Sequence, residues 1–328
     1  MGLGPVGRSI ARAALQHEGL ALCAAIDCDP ALVGRRLDEL APGVVSSLAV
    51  TDDAKSALAD LRGGVLLHAT SARLPEITPQ LLSAVEVGVS VVSSCPDLVY
   101  PWYAHPEIAQ DIDRTASDAG VTVLATGVNP GFALDHLIVA AAIASGNIRQ
   151  VRATRSVDIS KRRAALLRKA GVGLSVDEFQ RMVAAGTVGH VGLAQSAALV
   201  ASGLGLVFDK LDERIEPVRA DRALESPVPI RAGYVVGYRQ RAETVASGRR
   251  RVRLELTYAA GVPDRDAIII DADPPIEITL ERGISGDLAT AWSVVNAAAR
   301  LNGAKPGLRS VLDLPIRMST RPTGGESA

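Results

Sequence analysis

The sequence predicts an α/β fold, a doubly wound parallel sheet followed by an α+β domain. Two observations carry this. Up to residue 146, short apolar runs alternate with segments of helical periodicity, as they do when strands are buried on both faces. Beyond it, apolar and polar residues alternate one by one, the pattern of strands with one wet face. The chain has 328 residues, of which 48% are hydrophobic and 22% charged, enough for two domains with sizeable cores. A formal net charge of −1 offers no field of one sign to nucleic acid or an anionic membrane. No apolar run approaches the roughly 18 residues of a membrane span. Three cysteines, Cys23, Cys28 and Cys95, lack metal-ligand spacing and read as reduced thiols of a cytoplasmic protein.

The elements follow in order. "MGLGPVG" is a glycine-rich turn and "RSIARAALQHE" a helix; "LALCAAID" is a buried strand ending at Asp27. "GGVLLHATS" is a short strand, "ITPQLLSAVEVG" a helix and "VSVVSSC" a strand; "EIAQDIDRTASDAG" and "VTVLATG" repeat the alternation. "IRQVRATRSVDI", "RVRLELTYAAG" and "PPIEITLERG" read as antiparallel strands, with the helices "SVDEFQRMVAAG" and "QSAALVASGLG" inserted after the first. The basic run Arg249–Arg251, after Ser247-Gly248, reads as a solvated hairpin loop. "DLATAWSVVNAAARLNG" is the last strong helix. The expected organisation is a nucleotide-binding domain over 1–146, an α+β domain over 147–284 and a C-terminal segment, 285–328, returning to the first domain.

The opening turn carries G-x-G-x-x-G at Gly2, Gly4 and Gly7. Gly2 permits the tight turn, Gly4 lets the backbone approach a diphosphate, and Gly7 lets the helix pack on the sheet. Gly2, Gly4, Pro5, Val6 and Gly7 are therefore the expected phosphate-binding set, at a helix N-terminus that offers free N–H groups. Asp27 ends the next strand twenty residues after Gly7, the place for an acid on the ribose 2′-hydroxyl. It favours NAD by repelling a 2′-phosphate, while Arg35 and Arg36 lie where such a phosphate would reach, so NADP stays open. A strand should deliver this turn, yet only Met1 precedes it; the expectation is that the first strand lies upstream of Met1, the alternative that it is absent and nucleotide binding is crippled.

"LATGVNPGFALDHL" is more specific. With "GLGPVGRSIAR", "AAIDCDPALVGRRL", "VVSSCPDLVYPW", "RSVDISKRRAALLRKAGVGLSVDEF", "GHVGLAQSAALVASGLG", "ERGISGDLATAWSVVNAAARL" and "PGLRSVLDLP", in that family's order and spacing, the chain resembles the 2,4-diaminopentanoate dehydrogenase family. That family includes the native amine dehydrogenases and is a distant relative of dihydrodipicolinate reductase. The resemblance implies a Rossmann domain, a central substrate and dimerisation domain, a C-terminal return and a homodimer. It implies hydride transfer between an amine carbon and nicotinamide C4 with release of ammonia, or the reverse amination of a ketone. The family carries Cys-Glu-Glu-Leu after a strand; here the same place reads Cys95-Pro96-Asp97-Leu98.

That departure leaves two readings. Asp97 carries the carboxylate role alone, or the catalytic position is the one Pro96 now holds and amine chemistry is altered or lost. Asp97 can also be read as a helix-cap or turn acid. Asn129 is the expected amide at a strand end, for a substrate nitrogen or the nicotinamide carboxamide, or else an Asx-turn. Thr70 and Ser71 are expected on the nicotinamide side, or as strand-end caps. His190 in "GHVGL" matches the family pattern as a pocket residue; an isolated histidine also serves structure. Arg162 and Arg163 read as a basic face or an acidic-substrate contact, Tyr100 and Trp102 as cavity wall or core. No His-His pair of the dihydrodipicolinate reductase type is present, which disfavours that reaction. No metal-ligand cluster, triad order or P-loop appears. Reduction of an imine or conjugated double bond without ammonia release, and a non-catalytic NAD(P)-binding homologue, remain the alternatives.

Overall fold

In the computed structural model, residues 1–43, 45–223, 226–301 and 303–316 are described, and the chain divides into two units. Met1–Phe132 and the stretch from Ser285 onward form the first; Ala133–Ile284 form the second.

The first unit opens with helix Pro5–Gln16. Proline is tolerated in a first helical turn, where its missing N–H has no intrahelical partner to lose, so the helix starts earlier than its apolar periodicity alone suggests. Strands β1 (Ala25–Ile26) and β2 (Val50–Thr51) pair in parallel. The expected strand "LALCAAID" shrinks to β1 because only Ala25–Ile26 meets a neighbouring named strand. Strands β3 (Val65–His68), β4 (Ser90–Ser93) and β5 (Thr122–Ala125) form a second parallel set, with Leu66 opposite Val91 and Val91 opposite Val123. β5 is buried throughout, as a strand covered on both faces must be. Helices Leu74–Glu86 and Pro106–Asp118 are the crossovers into β4 and β5. Their core residues Ile77, Leu81 and Ile112 are fully buried, each stabilising the unit by roughly 1.5–3 kcal/mol.

The second unit is a six-stranded sheet: β6 (Gly146–Asp158), β7 (Lys210–Arg219), β8 (Val235–Ala246), β9 (Arg249–Ala259), β10 (Arg265–Asp273) and β11 (Ile276–Leu280), in the order β11-β10-β6-β9-β8-β7. Two expectations are corrected here. The sheet is mixed, because β6 and β9 run parallel, Val151 opposite Val252; the long connection between them, with its helices, supplies the crossover a parallel pair needs. The arginines 249–251 begin β9, and the hairpin turn is Ser247-Gly248, both at positive φ (48° and 75°), the two-residue geometry that matches strand twist. Helix Leu193–Gly203 buries Leu193, Ala197, Val200 and Ala201 in one cluster with Val151, Leu254, Ile268 and Ile270.

From Ser285 the chain is again part of the first unit. Helix Gly286–Ala299 buries Val294 and Val295 with Ile10, Ala13 and Ala14 of the first helix and with Val92 and Leu124 of the sheet. Strand β12 (Gly307–Leu308) then pairs with β5 in parallel, so the larger set reads β12-β5-β4-β3.

Candidate functional site

The glycine turn is built from two packing glycines and one open one. Gly2 has φ +83°, and a Cβ there would lie 2.5 Å from the Ala69 carbonyl oxygen. A Cβ on Gly7 would lie 1.7 Å from the Gly2 carbonyl oxygen. Around Gly4 a Cβ would meet nothing within 4 Å. Gly4 N-caps the helix without a side-chain bond, and no acid sits in the first turn, so the first amides after Pro5, at Val6 and Gly7, keep their donors for an anion. Asp27 follows β1. Its Oδ2 accepts the Leu3 amide at 2.5 Å and its Oδ1 the Asp29 amide at 2.9 Å. Each carboxylate oxygen retains a further lone pair. The cradle and this acid fit the diphosphate and ribose of a dinucleotide. Arg35 pairs with Glu39 at 3.3 Å and Arg36 with Asp38 at 2.6 Å, both on the surface.

Of three adjacent parallel strands, β3 ends on His68, β4 on Ser93, and β5 runs on to Thr126, and ligands of such sheets bind beyond the carboxyl ends. After β3, fully buried His68 receives Ser93 Oγ at Nδ1 (2.9 Å) and meets Gln80 Oε1 at Nε2 (2.8 Å). Thr70 Oγ1 lies 2.9 Å from that Nε2 and donates to the same Gln80 oxygen at 2.8 Å. Burial lowers the imidazole pKa to about 4, so His68 is neutral near pH 7 and works as a fixed polar strut for Thr70. Ser71 Oγ donates to Glu76 Oε2 on the following helix.

After β4, Cys95 leads into a 3₁₀ turn, Pro96–Leu98. Asp97 is only 3% exposed. Its Oδ2 accepts the Leu74 amide at 3.3 Å and lies 3.8 Å from His105 Nε2. It therefore holds the first amide of helix Leu74–Glu86 while standing beside the end of β4. Burial raises the Cys95 thiol to about 12, reinforced by the charges of Asp97 and Glu76, so this cysteine is no nucleophile at neutral pH. Tyr100 and Trp102 stack at a tilt, ring centroids 5.2 Å apart.

After β5, the Gly127–Gly131 loop is held from two sides. The Val128 amide donates to Thr290 Oγ1 at 3.2 Å. Gly131 has φ +120°, and a Cβ there would lie 2.3 Å from the Gly127 nitrogen, so the tight return requires glycine. Within this loop the Asn129 side-chain oxygen is buried and finds no hydrogen-bond partner among the described residues. Buried polar atoms are seldom left so; an incoming N–H group would complete it.

His190 belongs to the second unit, between Gly189 (φ +124°) and Gly192 (φ +101°), before helix Leu193–Gly203. Gln240 of β8, 2% exposed, clamps its backbone: the His190 amide donates to Gln240 Oε1 at 2.6 Å, and Gln240 Nε2 donates to the His190 carbonyl at 2.8 Å. Gln240 Nε2 also reaches Glu213 Oε1 at 2.9 Å. Arg162 and Arg163 lie in the same unit, just before helix Ala164–Lys169. Thr70, Ser71, Asp97 and Asn129 thus follow neighbouring strands of one sheet, while His190 stands in the other unit. The sequence reading passed over His68, Glu76 and Gln240. A histidine closing the apolar run "VLLH" was the available signal for the first; Gln240, in a strand, gave none.

Residues 132–323 match the family model for the 2,4-diaminopentanoate dehydrogenase C-terminal domain. The 2,4-diaminopentanoate dehydrogenase of Acetoanaerobium sticklandii is 26% identical over 325 residues, covering 96% of this chain and 92% of the relative. The amine dehydrogenase of Streptomyces virginiae is 27% identical over 351 residues, covering 96% and 95%. Among solved structures, the amine dehydrogenase of Mycobacterium smegmatis superimposes with a TM-score of 0.82 at 24% identity, over 98% of this chain and 96% of that one. The chain belongs to the 2,4-diaminopentanoate dehydrogenase family and is an amine dehydrogenase-like oxidoreductase.

Proposed function

We propose that the protein is an NAD(P)-dependent dehydrogenase acting on the C–N bond of a small amine or diamino acid, giving a ketone and ammonia, and aminating the ketone in reverse. The observation that carries this reading is Asn129: a buried amide oxygen just beyond the carboxyl end of β5 with no hydrogen-bond partner among the described residues, an acceptor for an amine or carboxamide N–H. Gly2, Gly4, Pro5, Val6 and Gly7 would hold the diphosphate, Asp27 the ribose, and Thr70 and Ser71 the nicotinamide side. Nicotinamide, when bound, takes up the hydride from the amine carbon.

The protein handles the proton and the charge. Only a free amine can expel hydride, so a carboxylate must first take a proton from the substrate ammonium. That role goes to Asp97, which the Leu74 amide orients. As hydride departs, the substrate carbon and nitrogen become an iminium, whose positive charge the same carboxylate stabilises once it has passed its proton on. Water then adds to the carbon and ammonia leaves. NAD is preferred over NADP because Asp27 is anionic and Arg35 and Arg36 are already paired with Glu39 and Asp38. A homodimer, on the family resemblance, and a cytoplasmic location, on the free thiols of Cys23, Cys28 and Cys95, complete the reading.

The test follows NADH and NADPH oxidation with a panel of small ketones, with and without ammonium at alkaline pH. Ammonium-dependent oxidation, faster with NADH, is expected. Asp97→Asn should then lose at least about a hundredfold in turnover while cofactor Kd stays within about twofold. Asn129→Ala should lose roughly 30-fold or more, the worth of one hydrogen bond to a charged or reacting group. Turnover untouched by Asp97→Asn removes that residue from the mechanism. Oxidation indifferent to ammonium indicates a reductase, and cofactor binding without any turnover a non-catalytic homologue.

A further inference from the structure

Pro96, Pro101 and Pro106 each stand in the first turn of a helix: the 3₁₀ turn Pro96–Leu98, helix Pro101–Ala104 and helix Pro106–Asp118. A proline is tolerated there and holds the residue before it out of the α region. Cys95 (ψ 116°), Tyr100 (ψ 72°) and His105 (ψ 57°) are those residues. The chain leaving β4 passes through these helix starts in turn, and the last one brings His105 back to Asp97. The His105 amide donates to the Pro101 carbonyl at 2.7 Å, and the His105 carbonyl accepts the Ala109 amide at 2.9 Å. The backbone beneath this side chain is thus fixed from both sides. His105 Nε2 lies 3.8 Å from Asp97 Oδ2. The Asp97 side chain is 4% exposed and that of His105 26%, so the buried carboxylate has beside it an imidazole that reaches the surface. Other titratable groups stand in this neighbourhood. Burial pushes the Cys95 thiol up to about 12, so it keeps its proton. Glu76, in the first turn of helix Leu74–Glu86, accepts from Ser71 Oγ, and its charge is felt at Cys95 together with that of Asp97. Glu107, in the first turn after His105, is exposed. None of these has the two ring nitrogens by which an imidazole accepts a proton on one side and releases one on the other.

We propose that His105 is the proton relay of Asp97, carrying to solvent the proton that this carboxylate takes from the substrate ammonium. The inference rests on the amine chemistry proposed above and assigns the fate of its proton. A carboxylate buried as Asp97 is must be deprotonated again in every turnover, and it meets little water of its own. The steps balance. An ammonium N–H bond breaks and the proton joins the Asp97 carboxylate. The Asp97 O–H bond then breaks, and Nε2 of neutral His105 takes the proton, leaving an imidazolium beside a carboxylate. A rotation of either side chain closes the 3.8 Å separation to hydrogen-bond distance. Opposite charges so close stabilise each other while the pair lasts. The imidazolium then gives one proton to water, and neutral imidazole remains. No electrons move in these steps; the hydride departs separately, from the amine carbon. His105 acts through Asp97 and is a positioning residue in this scheme. In the amination direction the same path runs backwards and brings a proton from solvent to Asp97.

The test uses the whole protein with NAD and the amine corresponding to the ketone that turns over fastest, near neutral pH in a weak buffer at constant ionic strength. His105→Ala and His105→Gln are expected to lower kcat at least about tenfold, less than the loss of a group that meets the substrate itself. KM should stay within about twofold, since no contact with the bound substrate is removed. Added imidazole should restore at least about half of the kcat lost in His105→Ala, because a small diffusible base can stand in for a relay. It should leave the unsubstituted protein and Asp97→Asn unchanged, since it cannot stand in for the carboxylate that the relay serves. Full turnover in both His105 variants without imidazole overturns the proposal. A loss that imidazole leaves untouched marks a histidine that only shapes its loop, and overturns it also. An unsubstituted protein without ammonium-dependent turnover defeats the amine reading and the relay with it, whereas an active protein whose His105→Ala variant ignores imidazole defeats the relay alone.

Discussion

The parallel strands of the first unit are two to four residues long and fall into two sets, whereas the second unit runs strands of five to thirteen residues through one six-stranded sheet. The difference shows where each unit keeps its polar groups. In the first, short strands end together, and side chains with chemistry stand beyond their carboxyl ends while helices and glycine turns carry the packing. In the second, polar side chains such as Gln240 lie inside the ladder and hold loops in place. The sharpest way to break the first arrangement is at the turn that feeds it. Gly7→Val would drive a side chain into the Gly2 carbonyl, and should abolish NADH binding and cost about 4 kcal/mol or more of stability. Gly4→Ala has open space around it, so it should leave unfolding within about 0.5 kcal/mol yet weaken NADH binding. Fluorescence titration and urea unfolding of the two variants separate a packing glycine from one that faces a phosphate.

The second arrangement breaks at Gln240. Gln240→Leu keeps the volume but strands the amide and carbonyl of His190, and should cost about 3 kcal/mol. Arg239→Ala, one residue away on the exposed side of β8 and paired to Glu255 at 3.3 Å, should cost about 0.5 kcal/mol or less. Urea unfolding measures both. Equal losses would mean that Gln240 holds nothing in particular, and the contrast between the units would lose its basis in the second sheet.

The parts of this molecule that the sequence made readable are those written in local chemistry. The alternation of apolar runs and helical segments identified the parallel sheet because a strand buried on both faces is mostly apolar, its few polar residues, such as His68 and Ser93, having to find partners inside. The glycine turn was legible because Gly2 and Gly7 each sit where a Cβ would strike backbone. The parallel pairing of β6 with β9 was not, since one-wet-face alternation is the same whichever way a neighbour runs. β7, β8 and β10 escaped for related reasons: Pro217 interrupts the first, Gly237 the second, and acids flank the third. The Asn129 oxygen and the Gln240 clamp depend on partners far away in sequence or on the lack of one, which no spacing records.

His68 offers the smallest effect and a sign that can be worked out in advance. Its folded pKa is lowered by burial from the usual 6.5 to about 4. Between those values the unfolded chain binds the proton and the folded one does not, so stability is fully present above pH 6.5 and declines as pH falls toward 4. From pH 7 to pH 5 this group should remove about 2 kcal/mol. The Met1 amine, lowered to about 6, acts in the same direction at somewhat higher pH, but it is common to the protein and any His68 variant and cancels in the difference. His68→Asn should be about 1 kcal/mol less stable at pH 7, for the bonds to Ser93 and Gln80 that it makes less well, and should nearly match or exceed the unsubstituted protein at pH 5. Urea unfolding at the two pH values reads this directly; parallel losses in both proteins would place the acid sensitivity elsewhere. Since Thr70 loses its strut in the same variant, NADH affinity at pH 7 should fall severalfold as well. If stability responds and affinity does not, His68 belongs to the interior of the sheet alone, and the strand ends of the first unit position their ligand without it.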